Sequence, residues 1–154
     1  WGTFLLLIPL AIASAEVWLG WSANWWRTVW QLPLAIGLFV FGGSVGLISG
    51  WVMTHQGEGT PLPSVGTRKL VVAGPYRHIR NPMALGGILQ GIAVGIGLGS
   101  PLVVVYAVLG VIWWEVLVRG LEEGYLAKQF GEPFERFRAQ VPCWRFRLKA
   151  YRDS

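Results

Sequence analysis

Residues 81–120 read NPMALGGILQGIAVGIGLGSPLVVVYAVLGVIWWEVLVRG, and the way this stretch folds decides the architecture of the chain. It holds two apolar runs, 83–99 and 102–118, interrupted by the tripeptide Gly99-Ser100-Pro101. A junction that short admits only a tight helical hairpin. The first run is marginal in length for a hydrocarbon core of roughly 30 Å, which suits a tilted or partly interfacial helix.

Two more apolar runs lie upstream: 1–21, which carries Glu16, and 32–53, which contains the small-residue string GGSVGLISG. Between them WSANWWRTVW, residues 21–30, has the aromatic density of an interfacial belt. A hydrophobic content of 53% with 10 Trp and 21 Gly in 154 residues, and a mean hydropathy of +0.48, lie outside the range of water-soluble domains. The expected fold is therefore all-α and polytopic, a single membrane domain over 1–154 with four transmembrane helices (1–21, 32–53, 83–99, 102–118). The loop 54–82 is rich in Gly, Pro and cations, with a short extended piece expected at KLVV, 69–72. The tail 119–154 reads as an amphipathic helix to about Phe130, a turn at Gly131 and a second short helix before Pro142. The chain starts at Trp1 within an apolar run, so a few residues are expected to precede it. No basic n-region marks a cleavable signal peptide.

Charge sets the orientation. Loop 54–82 holds Arg68, Lys69, Arg77 and Arg80, the tail holds eight cations from Arg119 to Arg152, and the loop between the first two runs holds only Arg27. Cations accumulate on the cytoplasmic side, so the central loop, the tail and, with four spans, both termini are expected there. The formal charge of +5 does not imply nucleic acid, because the basic residues abut apolar spans and lack interleaved aromatic platforms. Membrane lipid is the simpler partner. The single Cys143 excludes an internal disulfide, and His55 and His78 are too few for a metal site.

Two polar clusters fall at span ends on one face. Arg119, Glu122 and Glu123 share a helical surface, so Arg119 can pair with either carboxylate. Taken alone this is an ordinary salt-bridge face of little energetic weight, although a carboxylate at a hydrocarbon boundary also holds a ribose diol or an ammonium, and an Arg clamps a carboxylate. The second cluster, GPYRHIRNP at 74–82, brings Arg77, His78 and Arg80 to the start of the third run. Positive-inside anchoring accounts for such a cluster by itself. Pro82 fits the first turn of a helix with Asn81 at its N-cap, where backbone donors and the helix dipole can receive a carboxylate. Glu16 and Glu115 lie close enough to span ends to snorkel and receive no role. No phosphate loop or nucleophile elbow is present.

RKLVVAGPYRHIRNPMALGG, followed some thirty residues later by EEGYLAKQFGEPFERFRAQVPCW, resembles the paired signature of the isoprenylcysteine carboxyl methyltransferase and phospholipid N-methyltransferase superfamily. The likeness covers 57–144, and GTPLP at 59–63 resembles the prokaryotic members. It implies an integral membrane enzyme using S-adenosylmethionine, with the cofactor held by Arg68, Lys69, Leu70, Val71, Tyr76, Arg80, Asn81, Pro82, Met83, Ala84 and Glu122. It implies further that Arg119 steers the substrate and that Glu123, or a water chain, takes the proton of an amine acceptor. The acceptor would be lipidic, a phospholipid amine or a prenylated cysteine carboxylate. Three positions depart from the pattern: Ala84 where the family usually has Tyr, Gly124 where prokaryotic members often have Pro, and Cys143 where Arg commonly follows the Pro. The competing reading is a Trp-rich structural subunit that keeps the scaffold and packs in a larger membrane complex; a transporter is disfavoured, because no span carries an ionisable centre at mid-depth.

Overall fold

A computed structural model describes residues 2–21, 28–58 and 67–151. The tryptophan belt around 22–27 and the GTPLP segment lie outside the described residues. Within them the chain is all-helical and contains no strand. A π-helical turn, Thr3–Leu7, leads into α1, Ile8–Trp18, and α2 follows at Gln31–Gln56. A 3-10 turn at Gly74–Arg77 precedes α3, Pro82–Leu98. Then α4, Pro101–Trp113, runs through a π-helical turn at Trp114–Val118 into α5, Arg119–Phe130, and α6 spans Glu132–Gln140.

Two helices have the length and apolarity to cross a bilayer, α2 and the continuous Pro101–Phe130, and only 17% and 11% of their apolar windows are buried. A helix at the core of a soluble protein hides most of such a surface, so these faces are suited to lipid. The expectation of four spans is met by two. Thr3–Trp18 and Pro82–Leu98 are apolar but short, and at 1.5 Å per residue a helix of 17 residues reaches only about 25 Å. The KLVV piece pairs in no strand, and its Leu70, Val71 and Val72 side chains serve two different clusters.

The chain forms two compact units. The first comprises Trp1–Gly43 and Gly86–Val116 and packs by close backbone approach. A Cβ on Gly42 would lie 2.8 Å from the Gly86 carbonyl oxygen, and one on Gly95 would lie 2.7 Å from Val104 Cγ2 and 2.8 Å from its nitrogen. Small residues let apolar helices gain dispersion contacts where no hydrophobic force drives them together. The hairpin between α3 and α4 turns as its sequence demands: Gly99 takes φ +66, Ser100 Oγ accepts from Val103 N at 3.1 Å, and Pro101 occupies the first turn. Glu16, 3% exposed, accepts from Leu102 N at 3.0 Å and so caps the same helix from α1. Its role is structural.

The second unit comprises Ser44–Leu85 and Leu117–Ser154 and packs by aromatic burial. Phe134, Phe137, Val141 and Tyr151 form its larger core, joined by Leu70, Val72, Leu126 and Phe130. Phe137 meets Tyr151 edge to face at 5.4 Å between ring centroids. Gly131 makes the turn between α5 and α6 with φ +59, which a side chain would oppose. The amphipathic tail thus forms as the sequence implies, and its last segment, 142–151, binds the loop. Arg80 N donates to the Pro142 carbonyl at 3.1 Å, Arg147 N to that of His78 at 2.9 Å, and Tyr151 N to that of Arg77 at 3.0 Å.

Candidate active site

The second unit gathers most of the polar side chains that the sequence singles out. The 3-10 turn and α3 contribute Tyr76, Arg80, Asn81 and Pro82, and α5 contributes Arg119, Glu122 and Glu123. Asn81 stands at the N-terminus of α3, where its carbonyl accepts from Leu85 N at 3.1 Å, and its side-chain amide donates to Cys143 Sγ at 3.5 Å. Pro82 is fully buried at the first position of the helix.

The two adjacent glutamates have opposite environments. Glu123 Oε1 accepts from Arg80 Nη1 at 2.5 Å and from Arg119 Nε at 3.2 Å, while Oε2 lies 3.9 Å from Arg138 Nη1. The Arg80 and Glu123 side chains are only 12% and 13% exposed, so this is a shielded pair whose disruption strands a charge. Glu122 has no hydrogen bond or ion pair among the described residues. It lies near Tyr76, whose hydroxyl is buried without a partner. Burial, and secondarily the Glu122 carboxylate, raise the Tyr76 hydroxyl well above its ordinary value of 10.0.

The Tyr76 phenol and the Arg80 Nε are buried without partners, and the half-buried Glu122 carboxylate acts electrostatically on the phenol, so the chain itself leaves these polar groups unsatisfied. Buried polar atoms are normally paired. Donors and acceptors of this kind match a ligand with hydroxyls and a charged amino-acid end, so the residues fit a nucleoside cofactor. Other sequence candidates lie elsewhere or serve packing. Lys69 is exposed and pairs with Glu58, Arg68 is exposed with its backbone N–H bonded to the Gly57 carbonyl at 2.7 Å, and both therefore adjoin the end of α2. Leu70 packs on the α6 core, and Val71 is buried with Val52 and Tyr76. Met83 reaches toward Gly50, and Ala84 is half-buried with no polar atom to offer.

Sequence reasoning gave no role to the 142–151 strap, which contacts the loop from more than sixty positions away. Nor did it find the function of His78: Nδ1 donates to the Arg147 carbonyl at 2.7 Å and the ring stacks on Phe146 at 4.7 Å. No local spacing announces such long-range ties.

A membrane-associated helical protein whose two signature segments meet in one polar cluster has the form of a membrane methyltransferase. The phospholipid methyltransferase family model matches residues 30–133, and the chain belongs to that family. No curated protein and no solved structure matches it significantly.

Proposed function

We propose that this protein transfers a methyl group from S-adenosylmethionine to a membrane-embedded acceptor, in first place the amine of a phospholipid headgroup. The observation that carries this reading is that the Tyr76 hydroxyl and the Glu122 carboxylate, which interact electrostatically, are both left without hydrogen-bond partners among the described residues in a chain of this family. Glu122 and the Tyr76 hydroxyl would hold the cofactor's hydroxyls, and Asn81 with the α3 N-terminus its carboxylate, flanked by Arg80 and the backbone of 82–84. When bound, the cofactor supplies an electrophilic sulfonium methyl.

The work of the chain is orientation and exclusion of water. Holding the acceptor in line accounts for a large part of such a rate enhancement, and a dry pocket favours dispersal of positive charge. Glu123, occupied by guanidinium groups, acts as the post that fixes Arg80 and Arg119, a change from its sequence-based part as proton acceptor. An amine acceptor then loses its proton to water before reaction. Arg119, one-third exposed, steers an anionic group on the acceptor; a prenylated cysteine carboxylate would use the same cation and need no base.

In this reading the two short apolar helices also cross or enter the bilayer, giving four membrane segments with the central loop and the tail in the cytoplasm, which the distribution of cations supports. Titration of S-adenosylhomocysteine into the detergent-solubilised protein tests the site: saturable binding is expected, weakened about tenfold or more in Glu122→Ala. Labelled methyl donor with membrane extract then identifies the acceptor, base-stable label in lipid for N-methylation and base-labile label on protein for a carboxyl ester. One observation favours a second reading. Ala84 removes an aromatic wall, and a complete lack of S-adenosylhomocysteine binding would make the chain a structural subunit packed in a larger membrane complex.

A further inference from the structure

Beyond the polar cluster, the second unit has an open groove of about 470 Å³ under the end of α6 and the strap, lined by Arg138, Gln140, Pro142, Arg145, Phe146 and Arg147 among others. Three arginines line it, and like charges gathered around one groove repel each other unless anions accompany them. Arg138 has its anions, Glu135 at 2.7 Å and Glu123 at 3.9 Å. Arg145 and Arg147 have no carboxylate partner among the described residues, and Arg147 keeps a buried Nη1 with no hydrogen-bond acceptor. The backbone around them is fixed, because Arg147 N and O both bond His78 while Phe146 stacks on the same imidazole.

We propose that this groove binds the phosphate of a membrane phospholipid headgroup through Arg145 and Arg147. Guanidinium forks match phosphate oxygens in geometry and charge. The source is argued from placement. The same unit contains the polar ends of both long apolar helices, Gln56 at one and Phe130 at the other, which is where lipid phosphates lie. Phe146, 64% exposed at the groove, offers an apolar surface beside the two cations. The proposal rests on membrane association and not on methyl transfer.

The test uses the full chain in neutral detergent, titrated with dihexanoyl phosphatidic acid, dihexanoylglycerol and inorganic phosphate in separate arms. Saturable binding of the phosphatidic acid is expected, with at least about tenfold weaker binding of the other two, because each lacks half of the recognised group. Arg145→Gln, an exposed position, should weaken phosphatidic acid about tenfold, Arg145→Lys should recover part of it, and Arg136→Gln, outside the groove, should leave it unchanged. Binding unchanged in Arg145→Gln, or no saturable binding, overturns the proposal. Equal affinity for inorganic phosphate assigns the groove to free phosphate and overturns the lipid source. S-adenosylhomocysteine titrated into the same samples separates this outcome from failure of the methyltransferase reading, since the groove variants should bind it normally.

Discussion

Glu16 and Glu122 are both glutamates drawn out of water on helices of an apolar chain, and they have met different fates. Glu16 is almost wholly buried and matched to the Leu102 amide, so it completes the hairpin of the first unit. Glu122 is less buried yet unmatched, and it acts electrostatically on a tyrosine hydroxyl that is also unmatched. The difference separates a carboxylate that holds a fold together from one held ready for something else. It extends to the surroundings, since the first unit approaches contact through glycines and the second through aromatic rings and clustered charges.

The largest expected effect sets the reference for the second unit. Phe134→Ala removes a ring that is 2% exposed and should cost about 3–5 kcal/mol, measured by chemical unfolding in detergent and followed by loss of the Tyr151 contact to the loop. Next comes the carboxylate of the first unit: Glu16→Ala leaves Leu102 N–H without its acceptor and should destabilise by about 1–3 kcal/mol, while S-adenosylhomocysteine affinity stays unchanged. Glu122→Gln should reverse that pattern, leaving thermal stability at or above the parent while weakening the cofactor product. If both glutamates affected stability alike, the contrast would collapse.

Tyr76 supplies a pH test. Its hydroxyl keeps its proton in the fold to higher pH than in the unfolded chain, so the unfolded state loses protons first and stability must fall as pH rises above 10.0. Tyr76→Phe should flatten that alkaline decline, seen in melts from neutral pH to pH 11, with a change at neutral pH of no more than about 1 kcal/mol. The smallest effect is expected at Gly124, where a Cβ would meet nothing within 4 Å. Gly124→Ala should stabilise α5 by up to about 1 kcal/mol through helix propensity, and a loss instead would mean that the exposed face of that helix is in contact with something.

The helices, the hairpin and the two-part tail were legible because each rests on local chemistry: apolar runs, Ser100-Pro101 at a start, Gly131 at a stop. The loop and α5 clusters were legible as segments, and Arg80 with Glu123 shows that they meet. Which glutamate stays open was named only through family likeness, since Arg119, Glu122 and Glu123 share one helix surface and only the position of Arg80 and Arg138 decides the partner. Arg68 and Lys69 were placed with the site through family likeness, whereas an ion pair to Glu58 ties Lys69 to the end of α2. Of the four expected spans, two have the length a bilayer requires and two are apolar but short, because hydropathy counts residues and a bilayer requires rise.

The three backbone bonds between 77–80 and 142–151 also constrain biogenesis. During synthesis the arginine-rich loop emerges well before the strap that satisfies its carbonyls, and α3, α4, α5 and α6 are all made in the interval. The cluster of loop and α5 side chains is therefore a late product of translation, and a ribosome pausing within α6 would leave the Arg77 and His78 carbonyls without the strap that pairs them.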